Sequence, residues 1–159
     1  MKAEEVAKYI IAKFDYYGDL ITNKKLQKLL YYIEAWGLVH LNGVIDEDFE
    51  AWVYGPVVPD VYKKYSRFGY AALLNDDIDE YAPKSFMDDF ISRNPSDICE
   101  LIETVLERYG NMSAMELELL SHSEQPWKEA RAGLQPFERG DRIISKETMK
   151  SYYSSLIDQ

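Results

Sequence analysis

Residues 24–65, KKLQKLLYYIEAWGLVHLNGVIDEDFEAWVYGPVVPDVYKKY, decide how this chain reads. The stretch opens as an amphipathic helix. Leu26, Leu29, Leu30, Ile33 and Trp36 recur at helical spacing, and Lys24, Gln27, Lys28 and Tyr31 are expected to face away. Thr22 or Asn23 can cap its start, because either side chain can accept a backbone N–H of the first turn. Gly37 is the expected terminator. Residues 38–54 lose the helical period. Asn42-Gly43 is a turn signal, the acids Asp46, Glu47 and Asp48 follow, and Phe49, Ala51 and Val53 alternate with Glu50, Trp52 and Tyr54 as in a strand. A small β-hairpin or ribbon near 38–54 is the expectation. Pro56 and Pro59 suit the first turn of a following helix, where a missing N–H costs little, and Val57, Val61, Tyr65 and Phe68 carry that helix to Gly69.

Outward from this stretch the pattern is helical. Ala3, Val6, Ile10, Phe14 and Tyr17 fall on one side of a helix over 3–16 that Gly18-Asp19 closes. Residues 70–94 are the least regular: 75–80 read as a solvated acidic loop and 84–91 as a short helix. Asn94-Pro95 starts a helix whose apolar stripe runs from Ile98 to Tyr109, with Gly110 expected as a left-handed terminator. Ser113 and Glu116 form a capping box, and Met112 can staple onto Leu117. Pro126-Trp127 starts a short helix stopped by Gly133. A last helix begins at Ser145, with Met149, Tyr152, Tyr153, Leu156 and Ile157 on its apolar face. With no repeat, linker or low-complexity tract, 1–159 reads as a single domain, mainly α, with a minor β element.

The totals narrow the function classes. A chain of 159 residues can bury its own core, and 47% hydrophobic with 14% aromatic residues argues against disorder. No apolar run approaches the ~18–20 residues that span a bilayer. No secretory leader pattern is present, so a cytoplasmic location is expected. Cys99 alone cannot form an internal disulfide and reads as a buried structural thiol. Net charge is −10, opposite to that of a general phosphate-backbone binder; Lys24, Lys25 and Lys28 are a local basic group expected on a solvated face.

Searching for chemistry finds no catalytic or cofactor motif. His40 and His122 are far apart, no Cys pair exists, and zinc needs about four clustered ligands. Asn75, Asp77 and Asp79 match the first positions of a calcium loop, but Glu80 stands at its turn glycine and Phe86 at its last ligand. No glycine-rich phosphate loop or nucleophile elbow occurs. Trp52, Tyr54, Gly55, Pro56, His122, Trp127 and Arg131 remain as residues of interest. Each also has a structural reading. Trp52 and Tyr54 can cover a sheet face, Gly55 can supply backbone freedom, and Trp127 can anchor the core through an indole N–H to a carbonyl. His122 can complement its helix end, and Arg131 can pair with a local acid.

Two segments taken together resemble the Panacea domain, the family of SocA-like antitoxins and phage-associated proteins. The first joins Lys25–Tyr32 to Phe49–Tyr62, through Trp52-Val53-Tyr54-Gly55-Pro56-Val57-Val58-Pro59. The second joins Ser113–Leu117 to His122–Arg131, through Pro126-Trp127-Lys128-Glu129-Ala130-Arg131. The resemblance covers about residues 4–156; Ser121 stands where the family more often has Thr. It implies a non-enzymatic binder that neutralises a protein toxin encoded nearby, in some members by delivering it to a protease. No catalytic residue, metal or cofactor carries over. The seven residues above are the family signature and candidate partner-binding positions. Two other readings stand beside this one: a phage or prophage protein that binds a host protein, and a hydrolase built on His122.

Overall fold

Asn23–Leu41 (α2) is buried along most of its length although its sequence is amphipathic, so its polar residues are enclosed together with its apolar ones. It runs through the middle of the molecule. In the computed structural model, which describes residues 1–157, the remaining elements are α1 (Ala3–Tyr16), strands β1 (Glu50–Trp52) and β2 (Gly55–Val57), α3 (Pro59–Tyr65), α4 (Pro83–Arg93), α5 (Ser96–Tyr109), α6 (Ala114–Ser123), α7 (Gln125–Ala130) and α8 (Lys146–Ile157). Most of them pack against α2, while α4 packs on α1 and α7 on α6 and α8. The architecture is mainly α with a small antiparallel ribbon, as the sequence predicts. α1 falls on its expected residues. α2 is flanked by α5, α8, α6, α1, α3 and β2.

This crowding overturns the expected polar face of α2. Gln27, Lys28 and Tyr31 do not face water; all are buried. Gln27 is held on both sides, its Nε2 donating to Asn23 Oδ1 at 3.0 Å and its Oε1 accepting from Val58 N at 3.0 Å. Glu34, also buried, accepts from Val44 N at 2.8 Å, Ile45 N at 3.2 Å and Lys146 Nζ at 2.7 Å. Polar groups are tolerated here because each replaces water with a fixed partner. Gly37 does not end the helix. It sits inside it, where an added Cβ would lie 2.6 Å from Val44 Cγ2, so the glycine permits the following loop to pack closely. The helix stops at Asn42, left-handed at φ 60°, whose N–H bonds back to Gly37 O. Asn42-Gly43 is thus a helix terminus rather than a hairpin turn.

The ribbon lies at the C-terminal edge of its expected span and reaches beyond it, pairing Glu50 with Val57, Ala51 with Pro56 and Trp52 with Gly55. Pro56 therefore lies in a strand, not in the first turn of a helix. It stands opposite Ala51, whose N–H turns away from β2 to Arg142 O at 2.8 Å, so no ladder bond is lost to the proline. Residues 142–144 cover the other side of β1 through that bond and through Ile144 N to Phe49 O at 2.8 Å. Pro59 does open α3.

Elsewhere several details shift: Asn94 does not cap α5, which begins at Ser96 after Pro95, and its side chain instead donates to Phe90 O at 2.7 Å. The Ser113–Glu116 capping box forms as read. Gly110 is right-handed at φ −64°, Tyr17 and Ile157 are exposed, and Asn75 is buried rather than part of a solvated loop. Cys99 is only partly buried. One apolar cluster runs from Ala3 to Tyr153. No helix among the described residues is long and apolar enough to cross a membrane.

Candidate functional site

The two signature segments, far apart in the sequence, meet at the ribbon. Trp127 donates its indole N–H to Trp52 O at 2.9 Å, the indole–carbonyl bond expected from the sequence. Arg131, buried at 5% exposure, does not pair with an acid. Its guanidinium donates to three carbonyls: Ala51 O at 3.0 Å, Gln135 O at 3.2 Å and Glu138 O at 2.6 Å. The Ala51 contact fills the position where a ladder bond from residue 142 would fall, since Ala51 already donates to Arg142. A planar fork with five donors suits this task in a way a point charge does not. The guanidinium also stands 5.3 Å from the Trp127 ring centre.

His122 stacks on Trp127, ring centres 3.9 Å apart and 15° from parallel. Its Nε2 is buried without a hydrogen-bond partner among the described residues. Burial pushes its pKa down, helped by Lys28, Arg131 and Lys24 and opposed by Glu118. The ring is therefore a neutral stacking plate at pH 7 rather than a charged helix cap. No hydroxyl or carboxylate bonds to Nε2 to make the base–orienter pair that hydrolytic chemistry uses.

Gly55 has φ +116°, a conformation costly for any other residue, and its missing side chain matters as much. A Cβ there would lie 2.4 Å from Lys28 Cε. The lysine stem packs beneath the ribbon turn, filling the place a side chain would take. Gly55→Ala is expected to cost about 2 kcal/mol through backbone strain and overpacking together. Urea unfolding measures this. A loss of the same size in a Lys28→Ala background would mean that the close approach contributes nothing and strain accounts for all of it.

The ribbon roofs a groove of about 670 Å³. Trp52, Tyr62 and Val57 form its apolar wall, with the rings of Trp52 and Tyr62 edge to face at 5.1 Å. Asn23, Gln27 and Lys28 form the α2 side, and Arg139 and Asp141 lie on the far rim. Tyr54 and Tyr70 stand at the mouth, 59% and 97% exposed. Lys24 lies over the Tyr54 ring at 5.1 Å and contacts Glu118 at 2.5 Å as an ion pair. Lys28 is 1% exposed and makes no hydrogen bond or ion pair among the described residues. Its pKa is lowered to about 7, first by burial and then by the charge on Lys24, with Glu118 opposing.

Of the seven signature residues, Trp52, Gly55, Pro56, Trp127 and Arg131 build and pin the ribbon. His122 buttresses Trp127, and Tyr54 alone projects into solvent. Sequence reasoning passed over Lys28, which it placed on a solvated face, and Glu124. Glu124 is buried between α6 and α7 and accepts from the hydroxyls of Tyr32 at 2.6 Å and Tyr153 at 2.8 Å. Both residues stand inside the signature segments, and that position is the only signal that could have drawn attention to them. No group of three or more His, Cys, Asp or Glu side chains placed to hold a metal occurs among the described residues.

Comparison with known proteins follows the same two segments. The family model described as "Antitoxin SocA-like, Panacea domain" matches residues 26–128, from α2 through the signature Trp127. The chain is similar to Antitoxin SocA of Caulobacter vibrioides, with 35% identity over 127 residues, covering 79% of this chain and 68% of that protein. No solved structure matches.

Proposed function

Because the chain belongs to the SocA-like antitoxin family built on the Panacea domain, we propose that it is an antitoxin that neutralises a protein toxin encoded nearby by binding it directly. The observation that carries this reading is the pinned ribbon. Two distant segments are tied by indole and guanidinium bonds at the ribbon, which carries Tyr54 exposed beside the groove, with Tyr70 exposed at the groove's mouth. A surface fixed before binding loses little conformational freedom on association, and exposed tyrosines are common anchors in interfaces. Neutralisation proceeds by steric blocking on this face. Delivery of the toxin to a protease is a second step on the same complex. The overall charge of −10 favours a basic partner at longer range. The reading is one of binding rather than catalysis, and the complex forms in the cytoplasm.

Co-expression with the adjacent reading frame tests it. Rescue of growth and co-elution on size exclusion are expected, and a Tyr54→Ala/Tyr70→Ala double variant should fold normally and fail to rescue. Failure of the unaltered chain to rescue or to form a complex removes the reading. Toxin half-life separates the two modes: it falls if a protease takes part and is unchanged under blocking alone.

A further inference from the structure

Lys28 lines the groove almost fully buried, and its ammonium makes no hydrogen bond or ion pair among the described residues. Asn23 and Gln27 beside it are committed to Tyr62 O, to each other and to Val58 N. Lys24 on the same helix is neutralised by Glu118 of α6. His122 of α6 is neutral. Across the groove Glu50 of β1 accepts the Trp52 indole N–H at 2.9 Å, and Arg139 and Asp141 on the rim offset one another in charge. An ammonium held almost out of water, with its three donors unused, is a costly arrangement unless an anion arrives. Glu50 keeps its charge while accepting the indole N–H, so the formal charge around the groove balances, and what Lys28 lacks is an acceptor in contact rather than net charge. A singly charged oxygen acceptor suits that gap, and a phosphate dianion is disfavoured because it would face Glu50 and Asp141.

We propose that the groove is a carboxylate-binding subsite in which Lys28 receives an Asp or Glu side chain of the protein partner, with an apolar neighbour of that residue packed on Trp52 and Tyr62. This rests on the proposed reading that the ribbon face meets a protein. The anion restores the charge on Lys28 and so raises its proton affinity. Binding therefore takes up a proton above pH 7. Affinity is full below the pKa of the free lysine and falls as pH rises through that of the bound one, by about tenfold between about pH 6.5 and about pH 8.5.

The test uses the full chain with isotopically labelled lysine, titrated with N-acetyl-Glu-Phe-amide and followed at the Lys28 side-chain resonances. A saturable shift is expected, with the lysine's titration midpoint moved up by more than about one pH unit. The Gln counterpart should leave Lys28 unmoved, and a Lys28→Met variant should not bind the probe. An equal response to the Gln peptide, a response to inorganic phosphate but not to the Glu peptide, or an affinity independent of pH would overturn the proposal. No toxin is present in this experiment. Silence at Lys28 with growth rescue intact would reject the subsite alone, whereas failed rescue with a responsive Lys28 would reject only the antitoxin reading.

Discussion

Arg131→Ala is expected to lower the unfolding free energy by about 4 kcal/mol, most of it at the ribbon. Three carbonyls converge on this one side chain, from β1 and from two positions in the segment between α7 and α8. A charge-assisted hydrogen bond is worth about 1.5–3 kcal/mol, and an abandoned buried carbonyl costs the fold its desolvation as well. The truncation also leaves a void beside Trp127. Arg131→Lys should recover less than half of the loss, because an ammonium keeps the charge but cannot fork towards carbonyls in different directions. Urea unfolding gives the magnitude, and amide exchange at Ala51 and Ile144 gives the location. A loss under about 1 kcal/mol, within the range of ordinary surface substitutions, would show that Arg131 does not hold the ribbon. Since the proposed binding face depends on a fixed ribbon, toxin neutralisation should fall even where the variant stays folded.

Lys28→Met should act in the opposite direction, stabilising the protein by about 3 kcal/mol at neutral pH. The methionine stem fills the same space under Gly55 without bringing a charge into it. In the folded chain Lys28 holds its proton only to about pH 7, against 10.5 for an ordinary lysine. Between those values the unfolded chain binds more protons, so stability rises with pH. The penalty of the buried ammonium is fully present below pH 7 and fades as pH climbs towards 10.5. The gain from Lys28→Met follows the same course, largest at or below neutrality and small in strong base. Thermal melts at neutral pH should rise by roughly 6–12 °C. A lower melting temperature, or a gain that does not change between neutral and alkaline pH, would show that the amine is not a buried, unpaired cation. The stabilised variant should also lose the proposed carboxylate contact. A residue that weakens the fold and improves with a ligand is the pattern expected of a binding group rather than a packing group.

Helix positions were legible wherever the deciding chemistry is local. The Ser113–Glu116 capping box, the boundaries of α1, Pro59 at the start of α3 and the Trp127 indole bond to a carbonyl follow from what a side chain can reach or what its burial requires. Gly37 and Asn42-Gly43 were misread because glycine serves two purposes. It relaxes the backbone at a turn, and it admits a neighbour at close range inside a helix; only Val44 tells the two apart. The site was legible in part. The seven signature residues do assemble around one ribbon, though Arg131 binds carbonyls, whose positions leave no trace in a side-chain pattern.

The sequence by itself determined that this chain is mainly helical with a small β element, where most helices begin, and which family it resembles. Those features depend on residues a few positions apart or on motifs read as strings. The tertiary structure alone decided the role of Lys28. Helical periodicity divides α2 into an apolar and a polar face, but water reaches a polar face only if nothing else packs there. β2, α3 and α6 also pack around α2, closing much of the space that the polar face would have offered to solvent. Gln27 and Glu34 found partners in that closed space, and Lys28 was left against a groove with its charge unmet.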